Sequence, residues 1–279
     1  KAGLFSYIGQ EIDDAYDANV LAQCQNKELI AKMADDLKIV YTPIHGSGNL
    51  PVRRALEKAG FRNVHIVKEQ EQPDADFTTV GYPNPEDPKV FTLAKALAEE
   101  VGADIIVGTD PDCDRVGAMV RNDKGEFVVL TGNMTGALLT EYILSQKKAN
   151  GTLPDNGVVI KTIVSTELIA PICKAYHVEE MEVLTGFKFI GEKIKGFEET
   201  GSHTFLFGFE ESYGCLAGTY ARDKDAVVAT LLICEMAAYY KQKGMTLYDG
   251  LQKLYETYGC YQDNVKAITL KGLDGVEKI

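Results

Sequence analysis

The chain has 279 residues, 45% of them hydrophobic and 25% charged, and its 41 Asp and Glu outweigh 29 Lys and Arg for a formal net charge of -12. That length suggests two domains, the composition excludes disorder, and the acidic excess argues against a nucleic-acid partner, whose phosphates call for dense basic patches. No apolar run nears the ~20 residues of a membrane span, so no membrane partner is expected, and six widely spaced cysteines without a C-x-x-C suggest neither zinc nor disulfides and point to a cytoplasmic setting.

Residues 11–36 are polar and Ala-rich with helical spacing. A new pattern then begins. "LKIVYTPI" reads as a buried strand, "HGSGN" as a turn and "LPVRRALEKAG" as a helix stopped by Gly60. "NVHIVKE" is the next strand, and the three prolines of "GYPNPEDP" impose a loop before the helix "KVFTLAKALAEEVG". "ADIIVGTD" is a third apolar strand, "RVGAMVRNDKGEFVVL" a hairpin turning at Asn122–Gly125, and "NMTGALLTEYILSQKK" a helix.

"ANGTLPDNG", residues 149–157, has a linker's composition and marks a junction. The order then returns: strand "VVIKTIV", helix "STELIAPICKAYH", strand "MEVLTG", helix "KFIGEKIKGFEET", strand "HTFLFGFEES". The expected fold class is α/β, with two tandem domains of similar topology, each a mainly parallel mixed sheet covered by helices. In such sheets ligands bind beyond the carboxyl ends of the strands. Each half sets its most polar segment there, "TDPDCDR" in the first and "FEESYG" in the second.

Asp110, Asp112 and Asp114 alternate directly behind an apolar strand. In an extended segment they would point to one side about 7 Å apart, and a slight curl would gather them around a hard cation such as Mg2+ or Ca2+. A solvated acidic turn is the plainer alternative. An EF-hand is ruled out, because its required Gly and Glu positions hold Arg115 and Arg121. Arg115 adds a fork suited to phosphate oxygens, or simply neutralises its acidic neighbours.

In "FEESYG", Glu210 and Ser212 can exchange hydrogen bonds with sugar hydroxyls, although a strand exit often carries such residues for solubility. "ARDKDA" precedes a strongly apolar helix: Asp225 suits the N-cap, while Arg222 and Lys224 sit at the end of the helix dipole that repels cations, which asks for a phosphate or a proton-transfer role. "LTGFKFIG" offers Gly186 for a tight strand exit and Lys188 at a helix start that favours anions, or as a plain surface lysine. His45 reads as a turn or packing histidine. The tyrosines 239, 240, 248, 255 and 258 read as core or interface residues on helices.

Taken together, "TDPDCDR", "TGFKFIG", "FEESYG" and "ARDKDA" resemble the alpha-D-phosphohexomutase superfamily, in particular its phosphoglucomutase and phosphopentomutase-like branch, over about residues 38–260. The resemblance implies Mg2+ on Asp110, Asp112 and Asp114, Arg115 and Lys224 as catalytic residues, and Glu210, Ser212, Gly186, Lys188 and Arg222 as substrate-binding residues. It implies interconversion of glucose 1-phosphate and glucose 6-phosphate through a phosphoserine enzyme and glucose 1,6-bisphosphate. Phosphomannomutase or phosphopentomutase activity is the alternative within the class, and a noncatalytic metal- and sugar-phosphate-binding module the alternative outside it.

The family's T-A-S-H-N-P-like phosphoserine segment and R-x-S-G-T phosphate loop are not in this sequence. The chain is therefore expected to be a piece of a four-domain protein whose first and fourth domains are its natural partners: residues 1–37 as tail and linker helix of the first domain, 38–150 as the second, 151–259 as the third, and 260–279 as linker toward the fourth. Without the phosphoserine, Mg2+ is expected to bind weakly or not at all, and turnover is expected to be absent.

Overall fold

The computed structural model describes residues 3–264; most of the expected linker at 260–279 therefore lies outside the described residues. Two helices, α1 (Gln10–Leu21) and α2 (Lys27–Met33), precede a five-stranded sheet of β1 (Ile39–Thr42), β2 (Val64–Ile66), β3 (Ile105–Thr109), β4 (Val116–Arg121) and β5 (Phe127–Leu130). Helices α3 (Asn49–Ala59), α4 (Thr92–Val101) and α5 (Gly132–Ala149) join and follow these strands. The second half has β6 (Gly157–Thr162), α6 (Ile169–Tyr176), β7 (Glu179–Val183), α7 (Phe187–Thr200), β8 (Thr204–Phe209) and β9 (Cys215–Leu216), then α8 (Ala226–Gln242) and α9 (Leu247–Tyr258).

The sheet orders are β2-β1-β3-β4-β5 and β7-β6-β8-β9. Numbered within its own half, the second reads 2-1-3-4, so it repeats the first without the last strand. In each half the first strand pairs in parallel with the second and third, and the third turns back into an antiparallel partner. The α/β class with two mixed sheets is as expected, although the β4–β5 pairing leaves the first sheet with as many antiparallel as parallel contacts.

Alternation along the strands sorts residues between two buried faces, which is why these segments read as apolar runs rather than alternating ones. Ile39, Tyr41, Ile105 and Val107 enter one cluster, whereas Val40 and Ile106 enter another beneath α4. Val159, Phe207 and Phe209 join the first cluster, and Val158, Ile160 and Phe205 pack under α7. One core thus runs through both halves. Helix α8 supplies much of it, packing on α2, α3, β3 and β4 of the first half, while α5 packs on α6, β8 and α9 of the second. The junction at 149–157 therefore follows a helix already engaged with the sequence beyond it.

Local rules explain the helix ends. Gly60, Gly102 and Gly201 close α3, α4 and α7 in the left-handed conformation. Thr131 and Asp225 cap α5 and α8, the latter accepting from Val227 N at 2.8 Å and Val228 N at 3.3 Å. The strand expected from "VVIKTIV" ends at Thr162, leaving Ile163 and Val164 about half exposed beyond it. The two-residue β9 has no sequence signal of its own. Among the described residues, no helix is long and apolar enough to cross a membrane.

Candidate functional site

The two polar segments occupy the same place in the repeat. Asp110 to Arg115 is the turn from β3 to β4, and Glu210 to Gly214 is the turn from β8 to β9. Each is closed alike, Asp110 N donating to Arg115 O at 3.1 Å and Glu210 N to Gly214 O at 2.9 Å. Each holds a non-glycine residue at positive φ, Cys113 at 61° and Tyr213 at 71°. Side chains resist that region, so tertiary contacts hold it. Those contacts include the two turns themselves: Arg115 and Gly214 form an antiparallel bridge, and Val116 N donates to Tyr213 O at 3.1 Å.

Close backbone approach seats both turns. A Cβ on Gly46 would lie 2.6 Å from Pro111 Cα, so the "HGSG" turn after β1 presses directly on the first. A Cβ on Gly132 would lie 2.1 Å from Glu211 O, so α5 begins against the second. His45 is committed to this scaffold, Nδ1 sitting 2.8 Å from Gln72 O and Nε2 2.7 Å from Thr79 Oγ1.

The acidic segment is not the extended run that alternation suggested. Cys113 N donates to Asp110 O at 3.1 Å, so the chain coils there and brings one carboxylate oxygen of each of Asp110, Asp112 and Asp114 within 4.8 Å of the others. Asp110 is fully buried, Asp114 half-buried and Asp112 exposed, a series from floor to mouth. Asp110 Oδ1 accepts from Asp114 N and Arg115 N at 3.0 and 2.9 Å, and Oδ2 accepts from Arg115 Nε at 2.7 Å. Burial nevertheless outweighs these donors and pushes its carboxyl up to about 6. The guanidinium of Arg115 also reaches Asn84 Oδ1 at 3.4 Å and Glu86 Oε1 at 3.3 Å. Those two acceptors come from the Pro-rich loop, whose sequence reads only as a connector.

Three hard oxygen donors with no sulfur or imidazole among them suit Mg2+ or Ca2+ rather than a softer metal. The donor set fits such an ion: Asp110 is fixed in place by three hydrogen bonds, and the positive charge beside the triad is one guanidinium and one ammonium.

The ammonium is that of Lys224, whose Nζ lies 2.9 Å from Asp114 Oδ2 and 3.1 Å from Asp223 Oδ1. Burial alone would lower the lysine, but the two carboxylates outweigh it and hold it above its ordinary value. Its stem lies over Gly214, where a Cβ would meet Lys224 Cδ at 2.2 Å. Asp225 fixes the next position: besides capping α8, its Oδ2 accepts from Tyr16 Oη at 2.8 Å and Tyr220 Oη at 2.6 Å. Nothing in the local sequence pattern of α1 marks Tyr16 for this place.

Glu210 is buried and accepts from Gly186 N at 3.0 Å, joining "FEESYG" to "TGFKF". Burial raises its carboxyl, with the Gly186 amide and Lys224 opposing. Ser212 is half-buried at the tip of the second turn, and Lys188 is exposed in the first turn of α7. Arg222 is the outlier: it lines the mouth but is tied down, donating to Thr219 O at 2.6 Å and to Glu198 on α7. A cleft of about 750 Å3 opens beside the triad, lined by Asp112, Cys113, Arg222, Lys224, Ser47 and Arg54.

The model of the phosphoglucomutase/phosphomannomutase alpha/beta/alpha domain II matches residues 14–125, and that of domain III matches residues 131–258. A phosphoglucomutase of Staphylococcus aureus (strain MRSA252) is 38% identical over 244 residues, 88% of this chain but 43% of that protein. The chain thus spans under half the length of the curated relatives it matches. Among solved structures, a Thermus thermophilus protein assigned as a phosphomannomutase superposes with a TM-score of 0.70 at 22% identity, covering 89% of this chain and 51% of that one. An Aspergillus fumigatus N-acetylphosphoglucosamine mutase, solved in complex with GlcNAc-6P and magnesium, gives a TM-score of 0.60 at 15% identity, covering 88% of this chain and 53% of that one. At such identities the structural likeness speaks for the fold alone.

Proposed function

This chain belongs to the alpha-D-phosphohexomutase superfamily, matching the central domains of phosphoglucomutase/phosphomannomutase, and on that premise we propose that it is part of a phosphoglucomutase interconverting glucose 1-phosphate and glucose 6-phosphate. In this reading residues 38–150 and 151–259 are the second and third domains, residues 1–37 link back to a first domain that carries the phosphoserine, and residues 260–279 lead to a fourth. The whole protein works in the cytoplasm.

Support comes above all from one observation: the acidic turn and the Glu210 turn are bonded to each other, backbone to backbone, with Lys224 spanning them. Chemistry at a sugar hydroxyl needs phosphate-facing and sugar-facing groups on one small volume, and the contact between the turns supports that reading.

Asp110, Asp112 and Asp114 would hold Mg2+, Asp110 being the acid whose position is already fixed by hydrogen bonds. When bound, that ion supplies positive charge for the oxygens of the transferring phosphoryl group. Arg115, held by Asp110 through Nε and by Asn84 and Glu86 through Nη1, offers its Nη2 to the same oxygens, matching the electrostatic character of phosphoryl transfer. Glu210 and Ser212 hold sugar hydroxyls, Gly186 and Lys188 shape the far side of the sugar phosphate, and Arg222 reaches the non-transferring phosphate once it leaves Glu198. Lys224 holds a proton at the reacting sugar oxygen. The first transfer breaks the P–O bond to the serine and forms one to the sugar, giving glucose 1,6-bisphosphate; the sugar then reorients and its other phosphoryl group returns to the serine. The present chain, lacking the serine segment, is expected to show no turnover by itself.

The test is turnover by the intact parent with glucose 1-phosphate, mannose 1-phosphate and ribose 1-phosphate, each primed with glucose 1,6-bisphosphate. Glucose should give the highest kcat/KM, and Glu210→Ala should lower it about a hundredfold. A preference for mannose or ribose would transfer the assignment to phosphomannomutase or phosphopentomutase. Binding of the bisphosphate without turnover of any of the three would make the protein a noncatalytic module.

A further inference from the structure

Lys224 touches the acidic triad from the opposite half of the molecule. Its Nζ is 2.9 Å from Asp114 Oδ2, while Arg115 Nε is 3.7 Å from Asp114 Oδ1 and 2.7 Å from Asp110 Oδ2. Asp110 therefore already has a cation on one oxygen, and Asp114 has one near each. The two cations differ in freedom. Arg115 follows Asp114 directly in the chain, and its own backbone amide also bonds Asp110, so it is part of the turn. Lys224 is held to the turn by its ammonium alone, on a flexible stem lying across Gly214, and exposed Asp223 offers it a second partner at 3.1 Å.

We propose that Lys224 is a displaceable stand-in for the metal: a divalent cation entering the triad takes Asp114 Oδ2 from the ammonium, and Lys224 swings toward Asp223 and the sugar side of the site. This inference rests on the metal reading above and adds to it a coupling between the two events. Metal affinity is then lower than the bare triad would give, because entry must break the Asp114–Lys224 pair and overcome the repulsion of a nearby positive charge. In turn, Lys224 is released toward substrate only at a metal-loaded site.

The test is Mn2+ binding to the intact parent protein, followed by the EPR signal of the free ion, which needs no turnover. Lys224→Met keeps the stem over Gly214 and removes the charge; it should bind Mn2+ about tenfold more tightly than the wild type. Lys224→Arg keeps the charge and should stay within about twofold of the wild type, as should Lys193→Met, which removes an exposed charge in the middle of α7 that does not line the cleft. Unfolding midpoints within a few degrees of each other establish that the variants are folded, and Lys224→Gln serves in place of any Lys224→Met preparation that is not. A Lys224→Met affinity equal to or weaker than the wild type overturns the proposal, and so does a Lys224→Arg affinity as tight as that of Lys224→Met. Failure of the metal site itself has a separate signature: Asp112→Asn should abolish binding in both the wild-type and Lys224→Met backgrounds, and Mn2+ retained in Asp112→Asn would remove the triad from any metal role.

Discussion

Tyr16 and Asp225 lie 209 positions apart in the chain, yet the tyrosine hydroxyl donates to the carboxylate at 2.8 Å, fastening α1 to the start of α8 beside Lys224. Tyr220 shares the same oxygen, and the two rings meet edge to face at 6.0 Å. Tyr16→Phe removes one hydrogen bond and should cost about 1 kcal/mol in urea unfolding. Asp225→Ala removes the helix cap and strands both hydroxyls, for about 3 kcal/mol. Equal effects of the two would mean that Asp225 acts through Tyr16 alone.

Gly132 can bear no side chain while Glu211 O stays where it is. Gly132→Ala should cost about 2 kcal/mol by overpacking, and it should displace the 210–214 turn. Calorimetry of the intact parent with glucose 1,6-bisphosphate should then show affinity falling by more than the stability loss would suggest. Unchanged affinity would mean that the turn tolerates the shift and that its position is not what binds the sugar.

Lys161 is a fully buried lysine in β6, its Nζ bonded to Glu182, 3.2 Å from Glu167 and 3.5 Å from Glu180. Burial by itself would lower its ammonium, but these acids outweigh it and hold the group above the ordinary lysine value. A raised base contributes its full stabilisation below its unfolded value, so the pair is intact at neutral pH. Lys161→Met should therefore cost about 2 kcal/mol at pH 7, moderated because Glu167 and Glu182 keep access to water. The cost should shrink as the pH falls through the carboxylate range and the stranded acids take up protons. Denaturant midpoints at pH 7 and pH 4.5 check this; a penalty that grows on acidification contradicts it.

Glu235 is buried in the middle of α8 and accepts from Gln25 N at 3.1 Å and from Asn26 N, holding the turn between α1 and α2. Burial raises its carboxyl above the usual 4.5, against those amide donors. The folded state thus holds the proton more tightly than the unfolded one, and this group's contribution to stability falls as the pH rises from 4.5 through the folded value. Glu235→Gln does not titrate. Its stability relative to the wild type should therefore rise between pH 4.5 and pH 8, and a flat or falling difference would show that the amides, rather than burial, govern the group.

Much of the architecture was legible because buried parallel strands leave apolar runs and helices end on glycine: β1, β3, β6 and β8 announce themselves, as do Gly60 and the Asp225 cap. What escaped depends on distant partners. β9 is only two residues long and exists because β8 offers it an edge. The turn at Cys113 needs a positive φ that a cysteine would not choose by itself, so alternation suggested an extended trio where the chain coils. Among the candidate site residues, Asp110, Asp112, Asp114, Arg115, Glu210 and Lys224 are carried on the two bonded turns or beside them, and Gly186 is drawn in through Glu210. Arg222 was legible as a cation but not as one already engaged by Glu198, because that pairing depends on how α7 lies over the loop. Asn84 and Glu86 were hidden in a segment whose prolines speak only of conformation.

The antiparallel bridge between Arg115 and Gly214 carries a mechanical consequence. Main-chain bonds join the two turns, so the halves cannot part like jaws to admit or release a ligand without breaking that ladder and the common core beneath it. Any breathing of the site must instead come from side chains such as Arg222 and Lys224, or from pieces of polypeptide that close over the rim from outside this clamped pair.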